Sequence, residues 1–207
     1  MTVSRGTVVG LGAVAALGLA LLVRTAPPER HLDGAGPLAS LNGPGSEMMA
    51  TDPSAAGHPT SWTFGLRLCL ASGTDPAVIE SVAPTVSIGT GYRFLGAGIR
   101  QFQLTRDHTT VIGLSAWPPP RTEVPDTLAD VRGYVVSTPC SEPANSGAYT
   151  ELMIGLGREG DDGGGWNGID VGYSVAGRHR VLVIAHDLFI CGPAVAEQCG
   201  LRSSQVP

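Results

Sequence analysis

From Ser61 onward the chain keeps no apolar period for long. Short apolar runs are broken every eight to twelve residues by glycine, proline, asparagine or aspartate, the cadence of strands in an all-β sandwich or barrel. The first run, 62–70, alternates, with Phe64, Leu66, Leu68 and Leu70 on one face and Arg67 and Cys69 on the other. Further runs lie at 78–86, 92–104, 109–117, 133–138, 149–158, 169–175 and 181–190. Gly96-Ala97-Gly98 inside the third predicts a bulge. Pro118 to Pro120 must end the fourth, because proline cannot donate to a ladder, and one helical turn is expected at 126–131. In the last run Leu182, Ile184, Leu188 and Ile190 face one way and Val181, Val183, Ala185 and Phe189 the other, a strand buried on both sides. Gly177-Arg178-His179 is read as the hairpin turn before it. Seven or eight strands in one domain predict an immunoglobulin-like β-sandwich.

Composition supports this class. Among 207 residues there are 29 glycines and 16 prolines, and only 15% are charged, a poor balance for a coiled coil or helical bundle. All 13 basic residues are arginine, with no lysine anywhere, which removes a P-loop lysine, a Schiff base or a lysine general base. A net charge of -5 lacks the basic footprint of a nucleic-acid binder.

Residues 6–23 carry no charge and are flanked by Arg5 and Arg24. Eighteen such residues reach the lower limit for crossing a ~30 Å hydrocarbon core. No small-x-small cleavage site follows, so an uncleaved anchor is expected over a cleaved signal peptide. Gly10-Leu11-Gly12-Ala13-Val14-Ala15 matches a dinucleotide fingerprint in letters only, since a Pro/Gly-rich stretch follows it where a helix and second strand are required. The expected layout is a cytoplasmic stub at 1–5, a transmembrane anchor at 6–23, a disordered Pro/Gly-rich linker at 24–60, an extracytoplasmic β domain at 61–200 and a flexible tail at 201–207. Beyond residue 24 the chain holds 11 arginines against 18 acidic residues, a net charge of -7. His31 and His58 in the linker have no second ligand at metal-binding spacing.

Cys69, Cys140, Cys191 and Cys199 form an even set with spacings of 71, 51 and 8. No C-x-x-C is present, so two disulfides in an oxidising compartment are preferred to zinc. Three connectivities are possible; pairing Cys191 with Cys199 and Cys69 with Cys140 is favoured because a short loop closes easily.

Two stretches invite chemistry. The glycine-rich segment from Gly160 to Asp170 carries Asp161, Asp162, Asn167 and Asp170, oxygen ligands of the kind calcium takes, and Trp166, read as exposed at the tip of a mobile hairpin loop and available to a partner or glycan. Gly172-Tyr173-Ser174-Val175-Ala176 approximates a nucleophile elbow, and His179, His186 and Asp187 follow it, but the elbow needs a strand-to-helix turn where a strand is expected. Glu151, Glu159, Asp161 and Asp162 could supply paired carboxylates for glycoside chemistry; a solvated surface explains them as well.

With runs such as LRLCLASG and VLVIAHDLFICG, the whole chain resembles uncharacterised actinobacterial single-pass membrane-anchored proteins that carry a small extracytoplasmic β domain. The resemblance is one of layout; it implies an envelope location and assigns no site residue. The function expected is a non-catalytic binding or structural module of the cell envelope, at the cell membrane with the C-terminal domain outside, or secreted if the N-terminal segment is cleaved. An envelope protein or a glycan is the partner class, without nucleic acid or cofactor. The alternative is an extracytoplasmic hydrolase, or a calcium-dependent glycan-binding protein using the 161–170 loop.

Overall fold

The computed structural model describes residues 27–49, 60–73, 75–103, 114, 116–124, 127–141 and 148–200. Among these the chain is all-β, in two sheets, with one short 3-10 helix at Pro193–Val195. The strands are β1 (Glu29–Leu32), β2 (Leu38–Ser40), β3 (Gly45–Met49), β4 (Ser61–Leu70), β5 (Ala77–Gly89), β6 (Tyr92–Gln103), β7 (Val135–Val136), β8 (Ala148–Arg158), β9 (Gly164–Val175), β10 (Arg178–Ile184) and β11 (His186–Ile190).

The first sheet is built around β9. Strand β5 pairs along one side of it, and β10 and β11 pair in succession along the other, all antiparallel. Strands β1 and β3 lie outermost, parallel to β10 and β11 respectively. The second sheet runs β2-β4-β8-β6, antiparallel throughout. Between the sheets lies the core: Trp62, Phe64, Leu66, Leu68 and Leu70 from β4 and Leu152, Ile154 and Leu156 from β8 meet Ile169, Val171 and Tyr173 of β9 and Leu182, Ile184, Leu188 and Ile190. The period of two in β4 therefore does what it predicts, since alternate side chains leave opposite faces of a strand.

The outer face of the second sheet is covered as well. Val124 and Met153 are buried there, with Leu114, Trp117 and Leu128 packed on them. Glycines make the seats: a side chain at Gly155 would run into the Trp117 ring, and one at Gly98 would meet Leu128 at 3.0 Å. Beside this cluster the buried Arg100 Nε donates to Glu151 at 2.6 Å. Burying such a charge is tolerable because it is paired.

Several expectations are corrected. Residues 27–49, expected as disordered linker, form β1, β2 and β3. Strands of three to five residues need no apolar period of their own, because each joins the edge of a larger sheet and pairs through its backbone. Arg30 donates twice to Asp170, at 2.7 and 2.9 Å, Arg180 pairs with Glu29 at 3.1 Å, and His31 Nε2 lies 2.6 Å from the Tyr173 hydroxyl. Asp170 holds the Arg30 guanidinium pKa above its ordinary value, and burial raises that of the Tyr173 hydroxyl. The strand expected from Ile169 begins at Gly164. The last run is split at Ala185 into β10 and β11, and Val181 and Val183 are only half-buried. The turn before it is Ala176-Gly177, both at positive φ (48° and 74°). Residues 127–131 are not helical, since Ala129 bridges Ile99. The bulge expected near Gly96 is present between Phe94 and Gly96. The apolar run 6–23, the tail 201–207, His58 and most of the strand expected at 109–117 lie outside the described residues; Leu114, from that run, bridges Thr63.

Candidate functional site

Of the nucleophile and base candidates, the fold brings Ser174 and His179 side by side. They are register partners on β9 and β10, and Val78 of β5 pairs with Ser174 on its other side. Between Ile79 and Ser81 strand β5 gains a residue relative to β9, and this bulge brings in Glu80, since bulges re-aim side chains. His179 Nδ1 donates to Glu80 at 2.9–3.0 Å, and the Ser174 hydroxyl donates to the same carboxylate, which is held below its ordinary pKa chiefly by the histidine.

The order of these three groups decides what they can do. In a serine hydrolase the imidazole stands between hydroxyl and carboxylate, taking the proton of one and oriented by the other. Here the carboxylate stands in the middle, so Ser174 faces not an imidazole but a carboxylate whose lowered pKa makes it a weak base, and His179 is engaged by Glu80. The imidazole is also 69% exposed, without the exclusion of water that strengthens such sites. Alongside lies an open trough of about 530 Å³ lined by Val78, Ile79, Glu80, Ser81, Arg132 and Gly133. His186 and Asp187 sit apart on β11, His186 buried against Gly45 of β3. Sequence reasoning missed Glu80, although a signal existed: Glu80 and Ser81 together break the alternation between Ile79 and Val82, at the place where the bulge falls.

The glycine-rich segment does not form an exposed ligand loop. Trp166 is fully buried on β9, with its ring centroid 5.5 Å from that of Tyr92 and 6.0 Å from that of Phe94, which overturns its reading as an exposed anchor. Strands β8 and β9 belong to different sheets, so 159–163 is a crossover and not a hairpin loop. It is pinned by Gly91 donating to the Gly163 carbonyl at 3.0 Å and Ala194 to the Asp162 carbonyl at 2.7 Å. Asp161 pairs with Arg158. Asn167 is half-buried on β9. Asp170 lies six residues along the strand from Gly164, roughly 20 Å at strand rise, and is occupied by Arg30 and by the Thr85 hydroxyl at 2.7 Å. Among the described residues no three His, Cys, Asp or Glu side chains gather to hold a metal. The carboxylates considered for glycoside chemistry are likewise dispersed: Glu151 is buried against Arg100 and Glu159 faces Arg93 at 3.5 Å on the surface.

The four cysteines form two disulfides, Cys69–Cys140 and Cys191–Cys199, with Cα separations of 4.8 and 5.8 Å. The pairing is the one that loop closure favours. The first ties the end of β4 to the segment after β7. The second closes over the 3-10 helix beside a knot of glycines, where a side chain at Gly163 would lie 2.5 Å from the Gly192 nitrogen and one at Gly91 would lie 2.6 Å from the Gly163 nitrogen.

No family model matches the sequence, and no curated protein does. A solved structure, that of the Vibrio cholerae VesB protease, is similar over 73% of this chain at 6% identity and a TM-score of 0.34. The chain spans 31% of that protease, and a likeness so slight carries no activity across.

Proposed function

We propose that this protein is a non-catalytic binding or structural module of the cell envelope: an immunoglobulin-like, disulfide-stapled β-sandwich held outside the membrane by residues 6–23. The observation that carries the reading is the engagement of all four cysteines in disulfides within the β domain, a state that persists in oxidising compartments. An uncharged run of eighteen residues ahead of that domain supplies the anchor, and the layout resemblance to actinobacterial membrane-anchored proteins points the same way. The non-catalytic part draws its support from the Ser174–Glu80–His179 order, in which a carboxylate of lowered pKa stands where a serine hydrolase places its imidazole.

Expression of the full chain with a C-terminal epitope tests the reading. On intact cells lacking an outer barrier, added protease removes the epitope, carbonate washing leaves the protein in the membrane, and a thiol titration without reductant finds no free thiol. A protected epitope together with four free thiols overturns the external placement. Release into the medium with a mass lacking the first segment replaces the anchor with a signal peptide. A hydrolysis that disappears in Ser174→Ala overturns the non-catalytic reading.

A further inference from the structure

We infer that the β9–β10 hairpin end of the domain faces the membrane and rests on phospholipid headgroups. The inference depends on the anchor proposed above and adds to it an orientation, which follows from where β1 begins and which way it runs.

Strand β1 lies parallel to β10, from Glu29 opposite Arg180 to Leu32 opposite Val183. The chain therefore reaches β1 from the side of Arg178, where Ala176-Gly177 closes the hairpin. Only residues 24–28 separate the apolar run from Glu29. Fully extended, five residues and their junctions reach about 20 Å. Strand β9, by contrast, has 12 residues and a length of about 40 Å. Glu29 lies level with Tyr173, nine residues or roughly 30 Å from the Gly164 end of β9, so a leash of about 20 Å keeps the hairpin end near the bilayer and cannot let the domain stand on the opposite end, at Gly91 and Gly163. A linker running to residue 60 would have spanned about 120 Å and imposed no orientation. The Arg30–Asp170, Arg180–Glu29 and His31–Tyr173 contacts keep β1 from peeling off to lengthen the leash.

The surface at this end suits headgroups better than acyl chains. Glu29, Arg132, Arg178 and His179 are exposed there and Glu80 is partly so, a set of both signs that matches zwitterionic phosphocholine and would be costly in hydrocarbon.

The test uses the full chain in phosphatidylcholine nanodiscs containing a small fraction of lipid with a gadolinium-chelating headgroup, read by amide NMR intensities. Signals from residues 29–31 and 176–180 are expected to weaken several-fold relative to those from 89–91 and 161–163. A long Gly/Ser insertion between Ala26 and Pro27 should abolish that difference while the protein stays with the disc. Equal weakening at both ends, or stronger weakening at 89–91, overturns the orientation and leaves the anchor standing. Protein that separates from the disc on gel filtration overturns the anchor and the orientation together.

Discussion

Gly160 and Gly165 stand five residues apart in one glycine-rich stretch, and the fold treats them oppositely. A Cβ at Gly160 meets nothing within 4 Å, whereas one at Gly165 would collide with the Leu188 carbonyl and with Phe189. Gly165→Ala should therefore cost about 3 kcal/mol, and Gly160→Ala should stay within about 0.5 kcal/mol. Urea midpoints at unchanged slope measure both; equal shifts would contradict the close approach of β9 and β11. Glu80 gives a second prediction. Hydrogen bonding to His179 lowers its folded pKa, so its contribution is full above the unfolded carboxyl value and is lost as the pH falls through the folded one. With side-chain exposures of 37% for Glu80 and 69% for His179, the stabilisation is under about 1 kcal/mol. Any advantage of the native protein over Glu80→Gln at neutral pH should fade on acidification, and one that grows in acid would refute the sign. At this scale the sequence was readable where side chains carry the pattern and opaque where glycine does. Phe64, Leu66 and Leu68 declare their face, but Gly163 to Gly165 offer no period, so the first part of β9 passes for a loop and Trp166 for its exposed tip.

The same contrast governs the strands. The long strands β4 and β8 are legible because they bury alternate residues on a common core. Strands β1, β2 and β3 are not, because their composition resembles a linker and their stability comes from partners elsewhere in the chain, more than a hundred residues away for β1 and β3 and across the β4 edge for β2. Asp170 is the joint that converts this composition into structure, accepting from Arg30 and Thr85 together. Asp170→Ala should lower stability by about 1 kcal/mol, given an Arg30 side chain that is 51% exposed. Its sharper signature is local: amide exchange at residues 29–32 should accelerate while β4 and β8 keep their protection. Uniform acceleration across both sheets would mean that β1 is no separable unit.

Over the whole molecule, the class, the two-layer core and the engagement of four cysteines in two disulfides follow from run spacing and cysteine arithmetic, with loop closure only favouring one of three connectivities, while the sheet order does not follow, since pairing partners are chosen by tertiary fit. The two disulfides should contribute unequally. Their separations of 71 and 8 residues correspond, by chain entropy alone, to about 4 and about 2.5 kcal/mol. Replacing Cys69 and Cys140 with serine should thus destabilise more than replacing Cys191 and Cys199, measured in urea without reductant; the reverse order would place the weight on the glycine knot. The pairing of β1 with β10 has one more consequence, in time rather than space. Glu29 leaves the ribosome about 150 residues before its partner Arg180, and β3 waits comparably long for β11. The first strands made are among the last to find an edge, so the first sheet closes only when synthesis is nearly complete. Such late, non-local closure makes for slow folding and leaves unpaired edges for a chaperone to shield until β9, β10 and β11 emerge.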